Sequence, residues 1–290
     1  MWDTFEYAFG KLNLSLDIVG KQENGYHLLQ MVMQSVSLHD TLFASLTKDG
    51  RVILTMEGNP LPVGDDNLCV KAARAYLKAI GETKRGITLH LQKQIPSQAG
   101  MGGGRSDAAA VLRLMNRLFA YPLTEKELCR IGLTLGADVP FCVRGGTQKA
   151  EGVGEILTPL PTLTEGIFVL CKPPFGISTP QAFAKSDAAP IPPALFTPSV
   201  ERAVRKGDLL DIAAHVGNRF ETVLQDERIA CIVAAMKQRG AAGACMTGSG
   251  SVVFGVFSTL DTAFAARKNL RPYGRCFVCR PVADSFLGSV

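Results

Sequence analysis

Apolar and polar positions alternate strictly from 12 to 18, with Leu12, Leu14, Leu16 and Ile18 set against Asn13, Ser15 and Asp17. A two-residue period predicts a half-buried strand. Strand-like runs recur at 32–38, 42–47 and 51–56, after which the spacing changes. Across 67–80, Leu68, Ala72, Ala75, Tyr76 and Ala79 share a helical face that Gly81 ends. Ile87, Leu89 and Leu91 alternate again, so one more strand leads into a glycine-rich segment. Beyond that segment Ala108, Val111, Leu112, Met115 and Phe119 mark a second amphipathic helix. Thr124 to Glu127 has the form of a capping box, and Gly136 suits the far end of the helix it opens. Glycines 145, 146, 152 and 154, between short apolar runs, predict a hairpin-like return over 141–157.

The texture changes near 159–161. A buried strand is predicted at 166–171, and seven prolines between 173 and 198 allow only loop and short helices there. Helical spacing returns at 199–214 and 225–239. The remainder reads as strand (244–246), turn (Gly248-Ser249-Gly250), strand (252–257), helix (259–270) and strand (276–280). Strand runs alternate with helix pairs, which predicts α+β layers in two subdomains, divided as 1–158 and 159–290.

Composition narrows the classes. With 47% hydrophobic and 20% charged residues over 290 positions, the chain can bury a core and is not disordered. Lys and Arg number 31 against 26 Asp and Glu, a net +5 that suits an anionic substrate. The excess forms no basic run, so no nucleic-acid partner is expected. No apolar stretch reaches the roughly 18 residues a spanning helix needs, and the start Met1-Trp2-Asp3 lacks the marks of a signal peptide. A cytoplasmic protein without a membrane partner is expected. The eight cysteines, with neighbours such as Ala230-Cys231-Ile232, read as reduced buried thiols. Cys276-x-x-Cys279 lacks the second ligand pair a structural zinc needs, so no metal site is predicted in the chain.

The chemistry concentrates in Pro96-Ser97-Gln98-Ala99-Gly100-Met101-Gly102-Gly103-Gly104-Arg105-Ser106-Asp107. Four glycines in five positions, entered from a strand and leaving into a helix, let backbone amides approach an anion at the positive end of the helix dipole. The segment lacks the Gly-Lys-Ser/Thr of the P-loop and the third glycine of the dinucleotide fingerprint. No His-Arg-Asp or Asp-Phe-Gly of a protein kinase is present either.

This segment resembles the phosphate loop of the GHMP small-molecule kinases. Three further segments are similar in order and spacing: Lys11-Leu12-Asn13-Leu14 with Asn24-Gly25-Tyr26-His27, Leu135 to Phe141 around Asp138, and Met246-Thr247-Gly248-Ser249-Gly250. The resemblance runs from about 7 to about 282 and is strongest to the branch whose acceptor is a cytidine diphosphate-linked polyol. It implies two subdomains of mixed and antiparallel sheets with the active site in the cleft between them. It implies ATP as co-substrate, Mg2+ bridging its phosphates, and a monomer or weak homodimer. Pro96 to Ser106, with Gly248 and Ser249, would hold the nucleotide. Asp138 would take the acceptor's hydroxyl proton, kept ionised by Lys11. Tyr26 and Phe183 would sandwich the cytosine, His27 would bond its edge, and Asn13 and Thr179 would hold the polyol. Without the resemblance Phe183 reads as core.

Three positions depart from the family's usual pattern. Phe9-Gly10 replaces Pro-Ala before the lysine, which bears on the pose of Lys11. Arg105 replaces a serine, exchanging a hydroxyl for a cation. Asn218-Arg219-Phe220-Glu221 replaces Asn-Asp-Leu-Glu, with an effect expected to be local. Two other readings stay open: a sister kinase of homoserine, mevalonate or a sugar, and a catalytically silent nucleotide- or RNA-contacting protein. The ring-stacking residues argue against the first, and retention of both Lys11 and Asp138 argues against the second.

Overall fold

A computed structural model describes residues 2–58 and 62–283. Its first element is a long hairpin. β1 (Thr4–Lys21) pairs antiparallel with β2 (His27–Thr47) along their whole length, and Gly25, at φ +88°, makes the turn. β2 is one continuous strand where the sequence predicts two. β3 (Val52–Glu57), α1 (Leu68–Ala79) and β4 (Gly86–Gln92) follow, then α2 (Gly103–Leu118) and α3 (Glu125–Leu133). The capping box at Thr124 and Glu127 is present. The stretch read as a hairpin opens with a short helix, α4 (Val139–Arg144). The hairpin proper is β5 (Thr147–Glu151) and β6 (Ile156–Pro159).

The second half runs β7 (Ile167–Lys172), α5 (Thr179–Asp187), α6 (Thr197–Lys206), α7 (Leu209–His215), β8 (Gly217–Asn218), α8 (Arg219–Leu224) and α9 (Glu227–Gln238). It ends with β9 (Gly243–Met246), β10 (Val253–Phe257), α10 (Leu260–Leu270) and β11 (Arg275–Cys279). The helix expected over 199–214 is therefore two. Gly207, at φ +70°, ends α6, and Asp208 caps α7 by accepting from the amides of Leu210 and Asp211.

Two sheets result. The larger has the order β3-β4-β2-β1-β8, with β5 on β2 and β6 on β5; the smaller is antiparallel, β11-β7-β10-β9. Among the described residues only β3–β4 and β1–β8 pair in parallel. Leucines and isoleucines of β4 meet α1 and α2 in one core, while Leu12 and Leu14 belong to another core shared with β7 and β10.

β1 is not half-buried as its alternation predicts, because the second half covers its polar face. Ser15 Oγ lies 2.9 Å from Thr197 Oγ1, and the Asp17 carboxylate accepts from the amides of Phe196 (3.1 Å) and Thr197 (2.8 Å). A register shift between Asn13 and Ser15 leaves Leu14 as the extra residue of a bulge, which re-aims the strand between the two cores. All eight cysteines are free thiols. Six are buried, whereas Cys231 lies on an exposed face of α9 despite its apolar neighbours. Among the described residues no helix is long and apolar enough to cross a membrane.

Candidate active site

The glycine-rich segment leaves β4 and enters α2 five residues sooner than the apolar spacing marks. Gly102, at φ +70°, is the N-cap, and its carbonyl accepts from the amides of Arg105 (2.9 Å) and Ser106 (2.8 Å). That leaves the amides of Gly103 and Gly104 at the open end of the helix, where an anion is favoured. Gly100 is required by packing as well as by its φ of +72°, since a Cβ there would overlap the Thr247 carbonyl. A Cβ on Gly248 would lie 2.8 Å from the Gly100 carbonyl oxygen. The glycine loops of the two halves thus touch backbone to backbone.

Between them opens a cavity of about 560 Å³, lined by residues 96–105, Lys11, Asn13, Asp138, Thr179, Phe183, Gly248 and Ser249. Most of the predicted site therefore shares one space. Lys11 is rooted in β1, its amide donating to the Met101 carbonyl (3.1 Å) and its side chain 6% exposed. Its Nζ donates to Asn13 Oδ1 at 2.7 Å and stands 3.8 Å from Asp138 Oδ2. Asp138 occupies the N-cap position of α4, yet its carboxylate makes no capping bond and is 29% exposed. Among the cavity's described lining residues it is the sole carboxylate.

Asn13, expected on the polyol, lines the cavity and is also a hub of hydrogen bonds. Its Oδ1 also accepts from the Gly248 amide (3.0 Å), and its own amide donates to Thr247 Oγ1 (2.9 Å), so it links the lysine to the second glycine loop. Thr179 Oγ1 lies 2.7 Å from Ser249 Oγ. Arg105 lines the cavity beside Gly136, two residues before Asp138. Ser106 points away: it is buried, with Oγ donating to the Phe9 carbonyl at 2.5 Å. At the Phe9-Gly10 departure, Phe9 turns outward toward Tyr7 and His39, and a Cβ on Gly10 would lie 3.2 Å from Met101 Cε.

The aromatic residues are arranged differently from the expected sandwich. Phe183 stacks on His27 with ring centroids 4.3 Å apart and 20° between planes, and meets the edge of Phe220 at 4.9 Å. Tyr26 sits at the hairpin turn, 64% exposed, outside the cavity. His27 Nε2 is 2.6 Å from Asp187 Oδ1, and Lys21 Nζ is 2.6 Å from Asp187 Oδ2. Hydrogen bonds from Lys21 and His27 hold the Asp187 carboxyl below its usual range.

Sequence reasoning missed the supports of the second glycine loop. Asn218 Nδ2 donates to the carbonyls of Met246 (2.7 Å) and Gly248 (2.8 Å), and Glu221 accepts from the Met246 amide (2.8 Å). Burial holds the Glu221 carboxyl above its usual range, although that amide donates to it. The segment 218–221, read as a local departure, is in fact this loop's scaffold. Asp187 carried no signal, because it lies in a proline-rich stretch without periodicity.

The N-terminal model of the GHMP kinases matches residues 67–146, and the C-terminal model matches 200–275. Fold and site together define a small-molecule kinase of the GHMP class. The chain is 38% identical over 278 residues to the 4-diphosphocytidyl-2-C-methyl-D-erythritol kinase of Clostridium tetani, covering 95% of itself and 99% of that protein. It is 39% identical over 263 residues to the enzyme of the same name from Alkaliphilus oremlandii, covering 90% of each. A crystal structure of 4-(cytidine 5'-diphospho)-2C-methyl-D-erythritol kinase superposes with a TM-score of 0.80 at 32% identity, covering 95% of this chain and 98% of that one. The chain belongs to the 4-diphosphocytidyl-2-C-methyl-D-erythritol kinase family. Homoserine kinase from Cytophaga hutchinsonii, at 17% identity, 97% and 95% coverage and a TM-score of 0.75, shares the fold.

Proposed function

We propose that the protein transfers the γ-phosphoryl group of ATP to the 2-hydroxyl of 4-diphosphocytidyl-2-C-methyl-D-erythritol, releasing ADP, in the non-mevalonate route to isoprenoid precursors. The observation that carries this reading is the pair formed by buried Lys11 and uncapped Asp138, facing a cradle of two glycine loops. Phosphoryl transfer asks a protein mainly for positioning and charge stabilisation, and the cavity offers both.

The amides at the start of α2, with Gly248 and Ser249, hold the phosphates, and Arg105 adds a positive charge at the cavity wall. Asp138 accepts the acceptor's hydroxyl proton as the oxygen attacks. Lys11, steadied by Asn13, stabilises the developing charge. The cytosine takes the face of Phe183 that His27 covers in the structure; His27 turns to the base edge, and Tyr26 closes over the other face. Thr179 and Asn13 border the polyol. With Asp138 the one carboxylate among the cavity's described lining residues, a Mg2+ would be held chiefly by the phosphates and water, with Asp138 as the protein group that could join them. The ion supplies neutralisation of phosphate charge. In this reading 1–158 supplies Lys11, Asp138 and the first glycine loop, and 159–290 supplies Phe183 and the second. The enzyme works in the cytoplasm as a monomer or weak homodimer.

The test is ADP release from ATP, Mg2+ and the cytidylated substrate. Turnover that vanishes with uncytidylated methylerythritol phosphate supports the reading. Nucleotide binding without turnover on the cytidylated substrate overturns it.

A further inference from the structure

Beneath the first glycine loop lies a buried charge cluster that the chemistry above does not use. Lys93, just past β4, precedes the loop; Asp107, in the first turns of α2, follows it; Asp40 sits on β2 below both. All three side chains are at most 4% exposed. Lys93 Nζ donates to Asp40 Oδ2 at 2.5 Å and to Asp107 Oδ2 at 2.7 Å, joining positions fourteen apart across the loop. Asp40 Oδ1 accepts from the amides of Gln94 (2.5 Å) and Ile95 (2.8 Å), which fixes the chain where it enters the loop. The other oxygen of Asp107, Oδ1, is buried without a hydrogen-bond partner. A Cβ on Gly103, whose amide opens the helix, would lie 3.5 Å from Lys93 Nζ.

Resting on the reading that this loop holds nucleotide phosphates, we propose that Asp40, Lys93 and Asp107 are positioning residues for the nucleotide, clamping both ends of the glycine loop and setting the net charge beneath it. Neither carboxylate reaches substrate; both act through the loop. The cluster has two acids and one base. Burial, reinforced by Asp40 and opposed by Lys93, pushes the Asp107 carboxyl up to about 8. Below that pH the proton on Asp107 leaves the cluster neutral. Above it, one uncompensated negative charge lies under the phosphates. The other titratable groups around it are the Cys69 thiol from α1, which burial keeps protonated, Lys11 across Gly102, and Arg275 across a shallow cleft shared with Lys93.

The sign follows. Nucleotide affinity is constant below pH 8 and falls above it, by at most about tenfold per pH unit for one proton. Calorimetric titration with MgADP and with uncharged adenosine, from pH 6.5 to 9.5, reads this on the unaltered protein. The expected result is a dissociation constant that rises above pH 8 for MgADP and stays level for adenosine. Asp107→Asn, which cannot ionise, removes the rise. Asp40→Asn, which weakens the hold on residues 94 and 95, raises KM for ATP about tenfold while moving kcat much less. A flat MgADP profile, or an identical rise in Asp107→Asn, overturns the proposal. Loss of fold in a variant leaves the MgADP and adenosine comparison to decide. Failure of the unaltered protein to bind MgADP at any pH refutes the nucleotide-loop reading itself.

Discussion

Asp138 is the one carboxylate among the cavity's described lining residues: it stands at a helix start without capping and 3.8 Å from a buried ammonium. Asp138→Asn is therefore expected to lower kcat by about 10²–10⁴-fold, with KM for ATP nearly unchanged, in steady-state ADP release. An equal loss in ATP affinity would instead mark Asp138 as a binding residue. Phe183 should behave oppositely. Removing its ring in Phe183→Ala deletes a stacking surface worth about 1–3 kcal/mol, raising KM for the cytidylated substrate by roughly 5- to 150-fold and leaving that for ATP in place. At this scale the sequence was legible where chemistry is carried by motif: Lys11, Asp138 and the glycines share one cavity. It was illegible where roles depend on a neighbour's direction. Ser106 belongs to the motif yet faces Phe9, and Asn13 braces Lys11 and the second glycine loop.

Among the elements, β1 shows why periodicity reads contacts only as far as one face. The bulge at Leu14 breaks its alternation, so Leu12 and Leu14 enter one core and Leu16 and Ile18 the other, while Ser15 and Asp17 are buried against partners some 180 positions later in the chain. Local pattern carries no trace of such partners. Asp17 makes the point measurable, since its carboxylate satisfies two amides at the start of α6. Asp17→Ala strands those donors and should destabilise the fold by about 2–6 kcal/mol in urea unfolding, at 1–3 kcal/mol per unpaired group. A change below about 0.5 kcal/mol would mean that water reaches them. Elements with local signals were read well: the capping box of α3 formed as expected, and Gly207-Asp208 carried a stop and a start within the run read as one helix.

Across the whole molecule, the site belongs to neither half alone. The first glycine loop, Lys11 and Asp138 come from one side, while Thr179, Phe183 and the second glycine loop come from the other. β8 carries the second half into the first sheet, where Asn218 pairs with Leu16 and also holds the loop at Gly248. A nucleotide held by both loops stabilises both halves together. MgADP at about 100 times its dissociation constant should raise unfolding stability by about 2.7 kcal/mol, seen as one upward-shifted thermal transition. Two separating transitions would show that the nucleotide engages one half only.

The bulged first strand also bears on how the enzyme is made. Asn13, which accepts from Lys11 Nζ at 2.7 Å, awaits Thr247, 234 positions downstream. Ribosomes add roughly 5–20 residues per second, so the strand waits roughly 12 to 47 seconds after leaving the tunnel. Through that interval Asn13, which accepts from Lys11, lacks its partners in the second glycine loop.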